Sequence, residues 1–338
     1  MRAESGQKII NLALQGGGSH GAFAWGVLDR LLDEERLAID GITATSAGAI
    51  NAVTLAYGLS LGGREEAKKA LGSLWKRISK IASNILTPSA FDTLYGNFGL
   101  DHSPSYIFLN TLSEFFSPYQ LNPLNYSPLK SLLQEIIDFE LLRKQAAVKL
   151  FLCATNVRTS KLKVFGRGEI CVEHILAACC RPFLTRAVEI DGEYYWDGGF
   201  MANPPIFPLI YGCDALDIIL IHLTPIVRQD VPTTPRAMIS RMQEISFNSS
   251  LMREMRAVAF MNSLIDDGRM PGGKKMLIHV IEAEDVMKEL PMSSKMNGNW
   301  SFLLHLHAIG RKRADDWLTS NFDRLGIESS IDLQTKYL

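Results

Sequence analysis

Residues 9–21 read Ile9-Ile10-Asn11-Leu12-Ala13-Leu14-Gln15-Gly16-Gly17-Gly18-Ser19-His20-Gly21. The apolar run Ile9–Leu14 has the length of a buried strand, and three consecutive glycines close it. Beyond Gly21, the residues Phe23, Val27, Leu28, Leu31 and Leu32 fall at helical spacing, while Asp29, Arg30 and Asp33 lie off that face. Strand, glycine turn and helix in direct succession open an α/β fold. A second such unit follows, with a short strand predicted over Ile39 to Thr45 and a helix over Ala47 to Tyr57. Ala47, Gly48, Ala49 and Ala52 let that helix pack close to its neighbours.

Further out, Glu65 to Ala82 predicts a surface helix, and Lys130 to Leu142 another. Ala147 to Thr155 and Lys161 to Phe165 read as strands. Val188 to Trp196 reads as a hairpin, because Asp191-Gly192 suits a type I′ turn. Leu216 to Leu223 and Met276 to Ile281 are core strands, followed or separated by long helices at Arg236 to Leu264 and around Leu303 to Phe322. Strands alternating with helices predict an α/β fold with a mostly parallel central sheet. No flexible linker interrupts the chain, so we expect a single domain over 1–338: a core at about 8–225 and a C-terminal helical and strand extension at about 226–338 packed on it.

With 338 residues, 47% of them hydrophobic and 21% charged, the chain is able to bury a sizeable core. A formal net charge of −1 argues against nucleic acid as a partner and against strong electrostatic docking on anionic lipid. The five cysteines (Cys153, Cys171, Cys179, Cys180, Cys213) are odd in number and lack paired-ligand spacing, which suits a reducing cytosol. Met1 to Lys8 is too polar for a signal peptide, and no run of about 18 uncharged apolar residues suggests a membrane span. The expected location is cytoplasmic, with peripheral contact to a membrane.

The glycine loop has three readings. Gly16, Gly18 and Gly21 satisfy a dinucleotide pattern, with Asp40 at the distance of a ribose-binding carboxylate. A plain structural turn is the second. The third is an oxyanion hole: consecutive glycines let backbone N–H groups of Gly16, Gly17 and Gly18 face a cavity, beside the positive end of the helix starting near Gly21. The contiguity of the glycines and the serine that follows Asp40 favour the third, with Gly17 and Gly18 as principal donors and Ala47 as a further one. Losing one such donor commonly costs roughly 3 kcal/mol of transition-state stabilisation.

That serine lies in Ile42-Thr43-Ala44-Thr45-Ser46-Ala47-Gly48-Ala49-Ile50-Asn51. A nucleophile elbow needs small residues two before and two after the serine, here Ala44 and Gly48. The competing reading is an ordinary helix N-cap. The base candidate is Asp197, in Trp196-Asp197-Gly198-Gly199 at the end of the hairpin, where Gly198 and Gly199 permit close backbone approach. A carboxylate of ordinary pKa near ~3.9 accepts a proton from an alcohol poorly, and a dry pocket would raise that value. Of the seven histidines, none is compelling as a triad member, and His20 reads as a brace for the glycine loop.

Gln15-Gly16-Gly17-Gly18-Ser19-His20-Gly21, Thr45-Ser46-Ala47-Gly48-Ala49-Ile50-Asn51 and Asp197-Gly198-Gly199 together resemble the three signatures of patatin-like phospholipases, over about Ile9 to Leu223. The resemblance implies a three-layer α/β/α fold akin to bacterial acyl-carrier transacylases. It also implies lipid acyl hydrolysis without metal or other cofactor, by a Ser46–Asp197 dyad with Gly17 and Gly18 as oxyanion donors. The implied partner is a lipid ester. Three departures stand out: Ala44 replaces the usual elbow glycine; Ser19-His20 replaces a small residue followed by a basic one; and Cys179-Cys180-Arg181-Pro182 replaces a small-residue stretch, placing Arg181 near the pocket or simply in a turn.

The aromatic segment Tyr106 to Tyr119 either caps an acyl channel, touches a membrane, or packs in the core. Met238, Met242, Met252, Met255, Met261 and Met270 read chiefly as core residues, with an adaptable lipid-lined groove as the alternative. Two rival functions remain: a transacylase, which wants a histidine base and an arginine clamp, and a noncatalytic lipid- or nucleotide-binding protein.

Overall fold

The computed structural model describes residues 6–95 and 98–338; residues 1–5, 96 and 97 of the expected 1–338 domain lie outside the described residues. In chain order the elements are β1 (Lys8–Leu14), α1 (Gly21–Asp33), β2 (Leu37–Ala44), α2 (Ala47–Ser83), α3 (Ala90–Tyr95), α4 (Pro104–Phe115), α5 (Pro118–Leu121), α6 (Pro128–Ile136) and α7 (Phe139–Gln145). There follow β3 (Lys149–Asn156), β4 (Leu162–Gly166), α8 (Val172–Ala178), β5 (Val188–Ile190), β6 (Glu193–Asp197), α9 (Phe207–Gly212) and β7 (Asp217–His222). The last are α10 (Pro235–Asp266), β8 (Leu277–Glu282), α11 (Glu284–Met287), α12 (Trp300–Asn321) and α13 (Leu333–Tyr337).

The eight strands form one sheet in the order β5-β6-β3-β2-β1-β7-β8, with β4 paired to β3. The run β3-β2-β1-β7-β8, which ends at the β8 edge, is parallel, and β4, β5 and β6 add antiparallel pairings at the other side. Helices cover both faces, as a buried parallel sheet requires. On one face α1, α2 and α12 enclose a large apolar cluster that includes Phe23, Leu55, Leu71 and Phe302; on the other, α9 and α10 pack Leu209, Leu251 and Met255 against β7 and β8. This is the mostly parallel α/β/α arrangement expected.

The extension is built into this frame. Strand β8 pairs with β7 from Asp217–Leu277 to His222–Glu282. On the opposite face Trp25 of α1 stacks between Trp75 of α2 and Trp300 of α12. Asn51 fixes α2 beside them, donating to the Gly21 carbonyl at 3.0 Å and accepting from Trp75 Nε1 at 2.9 Å.

Four expectations change. The stretch predicted as one helix over Lys130–Leu142 is two, because Asp138 caps a new start by accepting from the amides of Glu140 and Leu141. Glu65–Ala82 is separated from the preceding helix by non-helical Gly62 and Gly63, yet it is no purely surface helix, since Ala67, Leu71, Leu74 and Trp75 are buried. The core reading of the aromatic segment fails for most of it: Tyr106 is buried, but Phe108, Phe115, Phe116 and Tyr119 are exposed. The methionines divide, with Met255 buried and Met252 and Met261 packed beside it, whereas Met238, Met242 and Met270 are exposed.

Candidate active site

The glycine loop leaves the carboxyl end of β1, and the Ser46 turn leaves the carboxyl end of the adjacent β2. Pairing register then brings in Asp197. Ala44 of β2 lies opposite Leu152 of β3, and two residues on, Ala154 of β3 lies opposite Asp197 of β6. Ser46 and Asp197 therefore flank the end of β3 from its two sides, about two strand spacings apart in backbone.

Ser46 has φ 55° and ψ −128°, a left-handed conformation that side chains rarely adopt. It makes no N-cap hydrogen bond with its side chain, so the ordinary capping role does not describe it. Its backbone is pinned instead: its N–H donates to the Ala178 carbonyl at 3.0 Å, and its own carbonyl accepts from Cys179 Sγ at 3.1 Å. Ala44 fits as the fully buried end of β2, and Gly48 lies against the Leu14 carbonyl where a methyl group would collide.

Asp197 is 5% exposed. Its carboxylate accepts the Gly199 N–H at 2.8 Å. Burial raises its pKa to about 6, against the opposing pull of Gly199, Ser46 and the charge of Arg181. Its backbone is held by Cys180 and Thr155, whose carbonyl and hydroxyl meet its N–H at 2.7 Å and its carbonyl at 2.9 Å. Gly198 lies against the Cys153 carbonyl and Thr45.

The loop itself is braced from distant sequence. Gln15, fully buried, accepts from the amides of Leu223 and Thr224 at 2.8 and 3.1 Å and donates to the Asn203 carbonyl at 3.0 Å. Asn203 Oδ1 accepts the Gly16 N–H at 2.7 Å. This corrects the expectation of Gly16 as an oxyanion donor, since its N–H is already engaged. Among the described residues, no acceptor is paired with the N–H of Gly17, Gly18 or Ala47. Gly18 has φ +60° and abuts the carbonyl of Lys295, so a side chain there would be both strained and obstructed. Gly18, Ser19 and His20 form a 3-10 turn, and Gly21 lies beside Ala47 and Trp75.

His20 is the brace that its position suggested. It is buried, and its Nε2 lies 2.7 Å from Ser294 Oγ. Because the Ser294 hydroxyl donates to the Pro291 carbonyl, His20 Nε2 is the donor of that pair. Burial, and then the charge of Lys295, lowers its pKa to about 3, so it is neutral. The other histidines are engaged elsewhere: His174 with Cys171, His222 with Glu282, His279 with Asp217, His307 with Asp29, and His102 and His305 against Phe91 and Phe98. Asp40, the carboxylate of the dinucleotide reading, accepts from the amides of Asp214 and Ala215 and pairs with Lys149 at 3.1 Å. It is a structural tie, which leaves the nucleotide reading without its ribose contact.

Arg181 lies in a turn. Its carbonyl closes a turn with Leu184 and Thr185, and its charge reaches Asp197. Gln15, Asn203, Ser294 and Lys295 had no role assigned from sequence. Gln15 adjoins the glycines and Asn203 follows the Asp-Gly-Gly run closely, so position offered a hint for both; Ser294 and Lys295 lie in a turn with no motif.

The family model for patatin-like phospholipases matches residues 12–210. An uncharacterised protein of Acanthamoeba polyphaga mimivirus is 27% identical over 208 residues, covering 60% of this chain and 62% of that relative. The chain thus spans less than two thirds of the viral relative. Among solved structures, VipD from Legionella pneumophila is similar at 15% identity and a TM-score of 0.37, over 90% of this chain and 67% of that one. More than half of the chain matches the family model, and on that ground the chain belongs to the patatin-like phospholipase family.

Proposed function

We propose that the chain hydrolyses carboxylic esters of lipids with Ser46 as nucleophile and Asp197 as base. The carrying observation is a strained, half-buried Ser46 at the end of β2 and, across β3, the buried carboxylate of Asp197, whose pKa stands at about 6. Asp197 takes the hydroxyl proton as Ser46 Oγ attacks the ester carbonyl. The tetrahedral oxyanion is held by the amides of Gly17, Gly18 and Ala47. Collapse expels the alcohol, which receives the proton from Asp197, and leaves an acyl-serine. Water, deprotonated by Asp197, attacks that ester, releasing the fatty acid and restoring the hydroxyl. A carboxylate near pH 6 suits both halves, since it must accept and return one proton near neutrality.

The transacylase reading gains Arg181 as a nearby cation but has no histidine free to act as base. A noncatalytic binder gives no reason for the strain at Ser46. We assign the whole chain to one domain, since β8 and α12 complete the sheet and its cover. We also place the protein in the cytoplasm, touching membranes transiently. No helix among the described residues is long and apolar enough to cross a membrane, and the described apolar surface of α4, α5 and the following loop supports peripheral contact.

Turnover of a fluorescent ester by wild type, Ser46→Ala and Asp197→Asn tests the reading. Each substitution is expected to lower kcat by at least ~10^3-fold, and a fluorophosphonate probe to label Ser46. Equal turnover by all three proteins ends the dyad.

A further inference from the structure

Cys179-Cys180 belongs to one of the three departures noted in the sequence, and helix α8 delivers both residues to the backbone of the proposed dyad. Three consecutive residues at the end of that helix touch both members. The Ala178 carbonyl accepts the Ser46 N–H at 3.0 Å, the Cys179 thiol donates to the Ser46 carbonyl at 3.1 Å, and the Cys180 carbonyl accepts the Asp197 N–H at 2.7 Å. The strap is anchored beyond the site as well: the Cys180 thiol donates to the Arg186 carbonyl at 3.0 Å and accepts the Thr185 hydroxyl at 3.3 Å. The other donors to the Ser46 carbonyl, the amides of Ala49 and Ile50 at 2.8 and 3.3 Å, belong to the first turn of α2 and move with it. They fix the start of that helix but not its distance from Asp197. Among the described residues, the hydrogen bonds that reach the Ser46 backbone from another segment are those of Ala178 and Cys179.

We propose that Cys179 is a positioning residue for the nucleophile: its thiol and the Ala178 carbonyl grip Ser46 at both of its backbone polar groups and fix its spacing from Asp197, which the next residue, Cys180, holds. The proposal rests on the hydrolase reading above and adds a residue to the same site. A serine at φ 55° needs such a grip, since a strained backbone persists only where its surroundings over-determine it. A thiol suits the place because it donates a hydrogen bond without competing for the ester. Burial first, and then the charge of Asp197, pushes the Cys179 thiol well above its usual range. It therefore keeps its proton, and with it both its donor role and its inertness as a nucleophile.

Two measurements decide it. The first is turnover of p-nitrophenyl butyrate by wild type, Cys179→Ala, Cys179→Val and Cys179→Ser. The two donorless variants are expected to lower kcat about tenfold with KM kept within about twofold, because a misplaced nucleophile loses rate rather than affinity. Their different sizes keep the test open should one of them fail to fold. Cys179→Ser restores a donor and is expected to bring kcat back to within about threefold of wild type. An unchanged kcat in the donorless variants overturns the proposal, as does an equal loss in all three, which would make the thiol a packing group. The second measurement needs no ester. Hydrogen exchange of the Ser46 amide is expected to quicken about tenfold in Cys179→Ala and to recover in Cys179→Ser, while the amide of Ile219, buried within β7, keeps its rate. That outcome without any turnover by wild type supports the grip and sinks the hydrolase reading alone. Ser46 exchange that is unchanged in Cys179→Ala, or that quickens in step with Ile219, overturns the grip.

Discussion

Gly16 lies so close to Ser46 that a methyl group on the glycine would come within 2.5 Å of the serine Cβ. The same glycine is tied to Asn203 through its N–H, so it cannot retreat without breaking a buried bond. The glycine loop and the Ser46 turn are therefore in direct contact.

Gly16→Ala drives a methyl group into that contact. We expect kcat/KM to fall at least ~100-fold, with overpacking destabilising the fold by about 1–3 kcal/mol. Ester kinetics alongside urea unfolding check this. Full activity in the variant would show that the two segments are not rigidly placed.

With Asp197 as the proposed base, activity is expected to fall on the acid side. Its raised pKa means the base form is lost below about pH 6, so kcat/KM should drop about tenfold per pH unit there. Stability moves oppositely. The folded protein holds this proton more tightly than the unfolded chain does, so the contribution of Asp197 is lost as pH rises from about 3.8 to about 6. Above that, the buried charge destabilises by on the order of 3 kcal/mol. Asp197→Asn should thus be inactive yet raise Tm at pH 8, with little gain at pH 4. A Tm gain equal at both pH values contradicts the assignment.

Ser46→Gly and Ser46→Ala should part company in stability although both lose activity. Only glycine relaxes the φ of 55°, so Ser46→Gly is expected to be more stable than Ser46→Ala by about 1 kcal/mol. Equal unfolding midpoints would mean that the turn stores no strain.

Helix α4 and the segment after it expose Phe108, Phe115, Phe116, Leu124 and Tyr126, and Phe183 is exposed in the loop that follows Arg181. Arg186 joins the two regions by donating to the Tyr119 carbonyl at 3.0 Å and stacking over its ring. Phe115→Asp with Leu124→Asp should weaken sedimentation with neutral phosphatidylcholine vesicles at least ~10-fold, because each buried aromatic or aliphatic side chain contributes about 1.5–3 kcal/mol. Binding insensitive to both substitutions would remove this surface from membrane contact.

What the sequence disclosed was local geometry. Gly16-Gly17-Gly18 marks a tight turn because few other residues fit one, and Asp191-Gly192 marks the hairpin for the same reason; both of its residues adopt positive φ. The placement of Asp197 beside Ser46 follows from strand register across β3, which a pairing rule cannot read from separated motifs. Lys295 was invisible because its relevance comes from packing against Gly18, a contact without sequence periodicity. Likewise the exposure of Phe115 could not be told from burial, since an apolar residue among prolines carries no face pattern. The break at Asp138 was missed because apolar spacing runs on across a cap that only hydrogen bonding reveals.

The supports of the glycine loop emerge late in synthesis. Leu223 and Thr224 grip Gln15, and Ser294 grips His20, long after Ser46 has left the ribosome. At ~5–20 residues per second, translation leaves that serine without its final partners for roughly ten seconds or more. On the proposed reading, a half-made chain lacks the finished glycine loop, so the order of manufacture itself would delay activity until the last third of the protein has arrived.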